Sequence, residues 1–242
     1  MAIDFLEIKI RRRLLLAAIA VLPVACITSQ PYPVSSLIYE PFVKPALRLP
    51  RVGQQWVYVV RNVFNQEVVD VITEQIVYVG DQVIIQRSGA KLGSLPDEIQ
   101  EPWGYVLQDP HWSPSQKFLT KIPLWPEQLN PGWSGFYRSR YQVLGYPDSD
   151  FYWGLNIDAI AWEQVKSAAG NFLVLKYTID IPYFQSNDPF RIVNTRNEDV
   201  WFSPDIGRWV YRRGYGRYLT PGLRWSEAYW EDYLEWELLS WN

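Results

Sequence analysis

The sequence predicts a mainly β fold, a curved antiparallel sheet or half-barrel of roughly 8–11 strands with long Pro/Trp-rich loops. Three observations carry this. Aromatic residues make up 16% of the 242, with 13 Trp and 16 Tyr, and flat rings suit a pleated, half-buried surface. Beyond Val52 the patterns have mostly a period of two, as strands require. Between the runs lie Gly-, Pro- and Asp-containing turns able to close hairpins.

The elements follow in order. Residues 1–25 read as a lipoprotein-type signal peptide. Lys9, Arg11, Arg12 and Arg13 precede an apolar run from Leu14 to Ala25, which ends at Cys26, the one cysteine of the chain. A spanning helix needs about 20 apolar residues. A shorter run after a basic flank, closing on small side chains, is the pattern of a secretory signal. An uncleaved N-terminal anchor, a signal cleaved elsewhere and a buried cytosolic helix are the other readings. Three adjacent arginines beside the run fit the last of these badly.

Residues 26–50 hold Pro31, Pro33, Pro41, Pro45 and Pro50, which break helices and favour extended chain. They read either as a tether to the membrane, reaching at most about 80 Å, or as an extended segment packed on the domain through Leu37, Ile38, Tyr39 and Phe42. The third region, 51–242, reads as a single β-rich domain.

Within it, Trp56, Tyr58 and Val60 alternate with Val57 and Val59. "EVVDVITEQIVYV", Gly80-Asp81 and "QVIIQRS" make a first hairpin. "IAWEQVKSAAGNFLVLKYTIDI" makes a second, turning around Ala169-Gly170-Asn171, with Leu173, Leu175, Tyr177 and Ile179 on one face. "EDVWFSPDIGRWVYRRG" makes a third, with Pro204, Asp205 and Gly207 in its turn. In the C-terminal stretch Leu234, Trp236 and Leu238 alternate with Glu235 and Glu237, which predicts a strand, apolar inward and acidic outward. Residues 89–132, rich in proline and carrying Trp103, Trp112 and Trp125, read as one long irregular stretch and as a possible ligand loop.

Two resemblances bear on this reading. "LPVAC" resembles the lipobox of bacterial lipoproteins, whose cysteine is acylated and becomes the first mature residue. Pro23 departs from it, standing where the family usually has Leu. The resemblance implies lipid attachment at Cys26 and, since Ile27 and not Asp follows, sorting to the outer membrane of a Gram-negative cell. "RVGQQWVYVV", "IPLWPEQLNPGW", "WEQVKSAAGNFLVLKY" and "VWFSPDIGRWVYRR" occur in that order. Together they resemble β-rich cell-envelope lipoproteins and periplasmic proteins of unknown function in proteobacteria. Val165, Ala169, Gly170 and Phe172 fill one family motif, and Trp201, Phe202, Pro204 and Gly207 a second. The resemblance implies a curved antiparallel sheet or half-barrel, and brings no catalytic residues.

Several functions are disfavoured by composition. One His and one Cys cannot supply the four ligands of a Cys/His zinc site. The net charge of −3 becomes more acidic once the basic signal is removed, which gives no reason to expect nucleic acid. A Ser/His/Asp triad would have to use His111, with Asp109, Ser113 and Ser115 as neighbours, and the expectation is an exposed loop histidine. Asp148 and Asp150, beside Tyr152 and Trp153, are the most suggestive carboxylate pair for glycoside chemistry, although acidic residues also favour turns. The glycines of "GYGRYLTPG" precede no helix signal and do not support phosphate binding.

The expected protein is therefore a non-enzymatic envelope lipoprotein, lipid-anchored at the outer membrane and facing the periplasm. It would bind a lipid-like ligand or a protein partner, or serve a structural role, with no catalytic residue, metal or cofactor. The alternative is a glycan-binding or glycan-hydrolysing module using the Trp-rich loops. A deep apolar concavity would favour the first and an open groove with flat rings the second.

Overall fold

The computed structural model describes residues 33–242, apart from 39, 40, 42, 223–226 and 232. The signal-like run and Cys26 lie outside the described residues. Fourteen strands are seen among them. They are β1 (Ser35–Ile38), β2 (Gln55–Asn62), β3 (Val68–Val79), β4 (Val83–Gly89), β5 (Gly93–Gln100), β6 (Tyr105–Asp109) and β7 (Gln116–Pro123). Then come β8 (Ser134–Val143), β9 (Tyr146–Ser167), β10 (Gly170–Phe184), β11 (Val193–Ser203), β12 (Arg208–Thr220), β13 (Glu227–Trp230) and β14 (Leu234–Trp241).

Neighbours in sequence pair antiparallel from β2 to β12. β14 then joins β12 to β2, and β8 pairs with β9. The curved antiparallel sheet anticipated from the period-two patterns therefore closes on itself as a 12-strand barrel. Closure leaves no long unpaired edge in the ring. The two strands outside the ring extend partners already in it. β13 pairs with Arg217–Thr220 of β12, directly beyond the stretch that β14 pairs. β1 pairs with Trp162–Val165 of β9, beyond the stretch that β8 pairs.

All three hairpins read from the sequence are present, as β3–β4, β9–β10 and β11–β12. The third depends on Gly207, whose φ is +65°. A Cβ there would lie 3.1 Å from the Arg48 carbonyl oxygen, so the turn needs a glycine both for its backbone and for this close approach. The tip of the β9–β10 hairpin folds against the wall. The Tyr211 hydroxyl donates to the Lys166 carbonyl at 3.1 Å and Trp201 Nε1 to Glu163 at 2.9 Å. Val174 and Leu175, on opposite faces of β10, are consequently both buried.

Residues 89–132 are not one irregular stretch. They contain β5, β6 and β7, joined by shorter connections. Proline density concealed them. Pro96 is exposed and falls where the β4–β5 register shifts between Ile85 and Arg87, and a bulge is where a strand tolerates proline. Pro123 closes β7, while Pro110 and Pro114 lie in the β6–β7 loop. The C-terminal strand is present as β14, but Glu235 does not point into water. It is buried beneath Arg213, 3.3 Å away.

Strand alternation puts the turns at two ends. One end, here the upper, carries the loops 63–67, 90–92, 110–115, 144–145 and 185–192. The lower end carries 80–82, 101–104, 124–133, 168–169 and 204–207. The lower end is filled with aromatic rings. Trp125 stacks on Phe202 with centroids 4.8 Å apart and meets Trp103 edge-on at 5.4 Å, while Trp103 stacks on Trp56 at 6.4 Å. The segment before β2 runs over this end, with the Arg48 amide donating to the Pro204 carbonyl and Trp103 Nε1 to the Arg48 carbonyl.

Candidate functional site

The interior combines apolar rings with ion pairs between strands that are not neighbours in the ring, and such contacts must cross the lumen. Arg208 of β12 donates to Glu74 of β3 at 2.7 Å and to Glu98 of β5 at 2.5 Å. Arg87 of β4 holds the other Glu74 oxygen at 3.0 Å. All three members of the Arg208–Glu74–Glu98 group are fully buried. Burial pushes the Glu74 carboxyl up, but Arg208, the His111 hydrogen bond and Arg87 outweigh it and hold it well below the usual carboxylate range. Burial likewise acts against charge on Arg208, and Glu74 and Glu98 more than reverse that.

His111 is not an exposed loop residue. Its side chain is 2% exposed, because the β6–β7 loop folds inward and delivers it to this cluster. Nδ1 lies 2.8 Å from Asp109 and Nε2 3.0 Å from Glu74, with Glu98 at 3.6 Å. Trp209 and Trp236 stand edge-on to the ring at 5.1 and 5.5 Å. The Asp109–His111 pair has the form of a catalytic dyad, but the place a nucleophile would occupy is taken by the Glu74 carboxylate.

Glu74, Glu98 and His111 also bring possible ligand atoms within 4.8 Å of one another. The donor set does not fit a divalent cation. Both Glu74 oxygens and both Glu98 oxygens already accept hydrogen bonds from arginine or glutamine, and an ion there would face two guanidinium groups at contact distance.

Above this cluster, at the upper end, lies a half-open cavity of about 540 Å³, within the usual size of a small-molecule site. Its lining includes Trp112, Glu198, Arg212, Arg191, Glu231 and Trp230. Arg212 clasps Glu198 through two hydrogen bonds of 2.7 and 2.9 Å, and Trp112 Nε1 donates to the same carboxylate at 2.7 Å. Glu231 takes Arg191 at 2.7 Å and Arg196 at 2.8 Å. The Arg196 guanidinium lies over the Trp112 ring at 4.2 Å.

The glycines of "GYGRYLTPG" make this arrangement possible. A Cβ on Gly216 would stand 2.0 Å from a Glu231 carboxylate oxygen, and one on Gly214 would stand 3.3 Å from the Trp112 ring and from Glu198. Glu231 itself falls in the break between β13 and β14, its amide donating to the Gly216 carbonyl at 2.8 Å. The interruption is what lets its side chain reach Arg191 and Arg196.

The three tryptophans singled out from the sequence therefore separate. Trp103 and Trp125 pack together at the lower end, and Trp112 lines the upper cavity. Asp148 and Asp150 lie in β9 away from the cavity lining, and Asp150 pairs with Arg140. Sequence reasoning missed Glu74, Glu98, Arg208, Glu198 and Arg212. A signal for one existed in Asp70-Ile72-Glu74-Ile76, where Glu74 shares a strand face with two isoleucines.

These features define a class: an up-and-down β-barrel with a lower end filled by aromatic rings, an ion-paired lumen and a mixed polar–aromatic cavity at the other end. No protein-family model matches the chain, and no curated protein matches its sequence. Two solved structures are similar in fold. One is a candidate lipoprotein from Parabacteroides distasonis, 13% identical, with a TM-score of 0.55 over 83% of this chain and 100% of the other. The second is a candidate exported protein with a YmcC-like fold from Bacteroides fragilis, 11% identical, with a TM-score of 0.54 over 82% of this chain and 100% of the other. At these identities the likeness is one of fold.

Proposed function

We propose that this protein is a non-enzymatic, exported envelope lipoprotein, anchored through an acylated Cys26 in the outer membrane and facing the periplasm, with its barrel presenting the upper cavity to a ligand. The observation that carries the non-enzymatic reading is the pairing of charge inside the barrel. Glu74, Glu98, Glu198 and Glu231 are each held by at least one arginine. Each of these carboxylates is committed to an ion pair, as charged groups enclosed in a fold must be.

The anchoring reading draws on the basic flank, the short apolar run and the Ala25-Cys26 junction, and the lipoprotein description of one fold relative is in keeping with it. β1 fixes Ser35 to the barrel, and the nine residues from Cys26 to Ser35 span about 30 Å when extended. The test is metabolic labelling with radioactive palmitate followed by membrane fractionation. The wild type should take up label and sediment with the outer membrane. Cys26→Ser should do neither, and equal labelling of the two overturns the reading.

A further inference from the structure

We propose that the upper cavity binds a neutral, hydroxyl-rich ligand, a saccharide, and not an acyl chain. The inference rests on the ligand-presenting reading above and names its chemistry. Charge balance is the first argument. Arg191 and Arg212 line the cavity together with Glu231 and Glu198, two of each sign, with His111 also in the lining. An anion would meet the two glutamates and a cation the two arginines. An acyl chain would find Leu92, Leu95 and Leu234 in the lining, but it would also cover four charged side chains and strip their water without replacing it. A hydroxyl group donates to a carboxylate and accepts from a guanidinium, so a polyol satisfies both kinds of lining.

The second argument is unused hydrogen-bonding capacity. Glu198 already accepts two bonds from Arg212 and one from Trp112, and a carboxylate offers about four acceptor sites. Arg212 Nη1 has no partner among the described residues but almost no exposed surface, so a ligand reaches it only when the Arg212–Glu198 pair shifts. Ser113 and Ser115 of the β6–β7 loop add hydroxyls to the same wall.

The third argument is the rings. Trp112, Tyr218, Trp230 and Trp236 line the cavity, and their faces suit the C–H faces of a pyranose while polar neighbours take its rim. Further rings stand on the two faces of the β12–β13 ribbon at the rim. Tyr215 lies 5.8 Å from Trp230, Tyr218 stacks on Tyr229 at 5.6 Å, and Trp230 is 56% exposed. The paired side chains are held before any ligand arrives, which lowers the ordering cost of binding.

The test uses the mature lipoprotein in nanodiscs on an array of neutral and acidic bacterial surface oligosaccharides, with a fluorescent fatty acid titrated separately against loaded and empty nanodiscs. Saturable binding to a neutral oligosaccharide, weakened about tenfold in Trp230→Ala with an unchanged circular dichroism spectrum, is the expected result. Trp230 is exposed, so its loss should not unfold the barrel. Absence of array binding, binding to acidic sugars alone, or binding indifferent to Trp230→Ala overturns the proposal. Saturable fatty-acid uptake above that of empty nanodiscs also overturns it, while leaving the ligand-presenting lipoprotein reading intact. Palmitate labelling decides the anchor independently of all these outcomes.

Discussion

Replacing Arg208 with methionine removes the cation that joins three walls of the barrel. Arg208 donates four hydrogen bonds, of 3.2 and 2.7 Å to Glu74 and of 2.8 and 2.5 Å to Glu98. Glu74 would keep Arg87 and His111, whereas Glu98 would keep only Gln100 and the more distant His111. Stranding a buried carboxylate in this way costs about 3–5 kcal/mol. A barrel of this size has roughly 5–15 kcal/mol in total, so the change would be plain. With a urea slope of about 2 kcal/mol per molar, the unfolding midpoint should fall by about 2 M. The pH dependence checks the same cluster. Glu74 has its folded-state pKa held well below the unfolded value of 4.5. Its pairing therefore stabilises the fold above that value and is lost as pH falls toward the depressed pKa. The wild type should lose stability as the solution is acidified below about pH 4.5, and Arg208→Met should show a much flatter acid limb. Equilibrium urea titrations from pH 3 to pH 7 measure both. A midpoint change below about 0.5 M, or identical acid limbs, would mean that water already solvates these carboxylates and that the lumen is not sealed.

Two further substitutions separate the ends of the barrel. Trp125→Ala should cost about 3–5 kcal/mol, because its ring is buried between Phe202 and Trp103. Trp112→Ala should cost clearly less, since Trp112 is only partly buried and borders the cavity; the same urea titrations rank the two. His111→Ala should destabilise by about 1–3 kcal/mol, as Asp109 and Glu74 each lose a buried partner. Thermal melts read that loss, and an unchanged melting temperature would return His111 to the role of a surface residue.

Much of the fold was legible because backbone rules are local. The hairpins at Gly80, Gly170 and Gly207 announced themselves through turn chemistry, and the strands around them through alternation. β5 and β7 were hidden for an equally local reason, since Pro96 and Pro123 look like loop residues until a bulge and a strand end are known. The site was less legible. Arg208 and Glu98 are 110 positions apart, and nothing in either neighbourhood announces the other. His111 sits in "QDPHWSPS", which reads as an exposed loop. Only closure of the barrel turns that loop inward. Trp112 was singled out for its place among prolines, and its partners Glu198 and Arg196 come from a strand more than 80 residues away.

The 110–115 segment is fixed in place, holding His111 between the buried cluster and the cavity that the segment helps to line. The His111 amide donates to Asp109 Oδ1 at 2.9 Å, and the ring of the same residue is held from both sides. Hydrogen–deuterium exchange of a peptide spanning residues 109–115 tests this directly. Protection of the His111 amide comparable to that of β3 and β12, lost only with global unfolding, is the expected result. Exchange within seconds while β3 and β12 stay protected would contradict it, making the segment a lid over an accessible lumen.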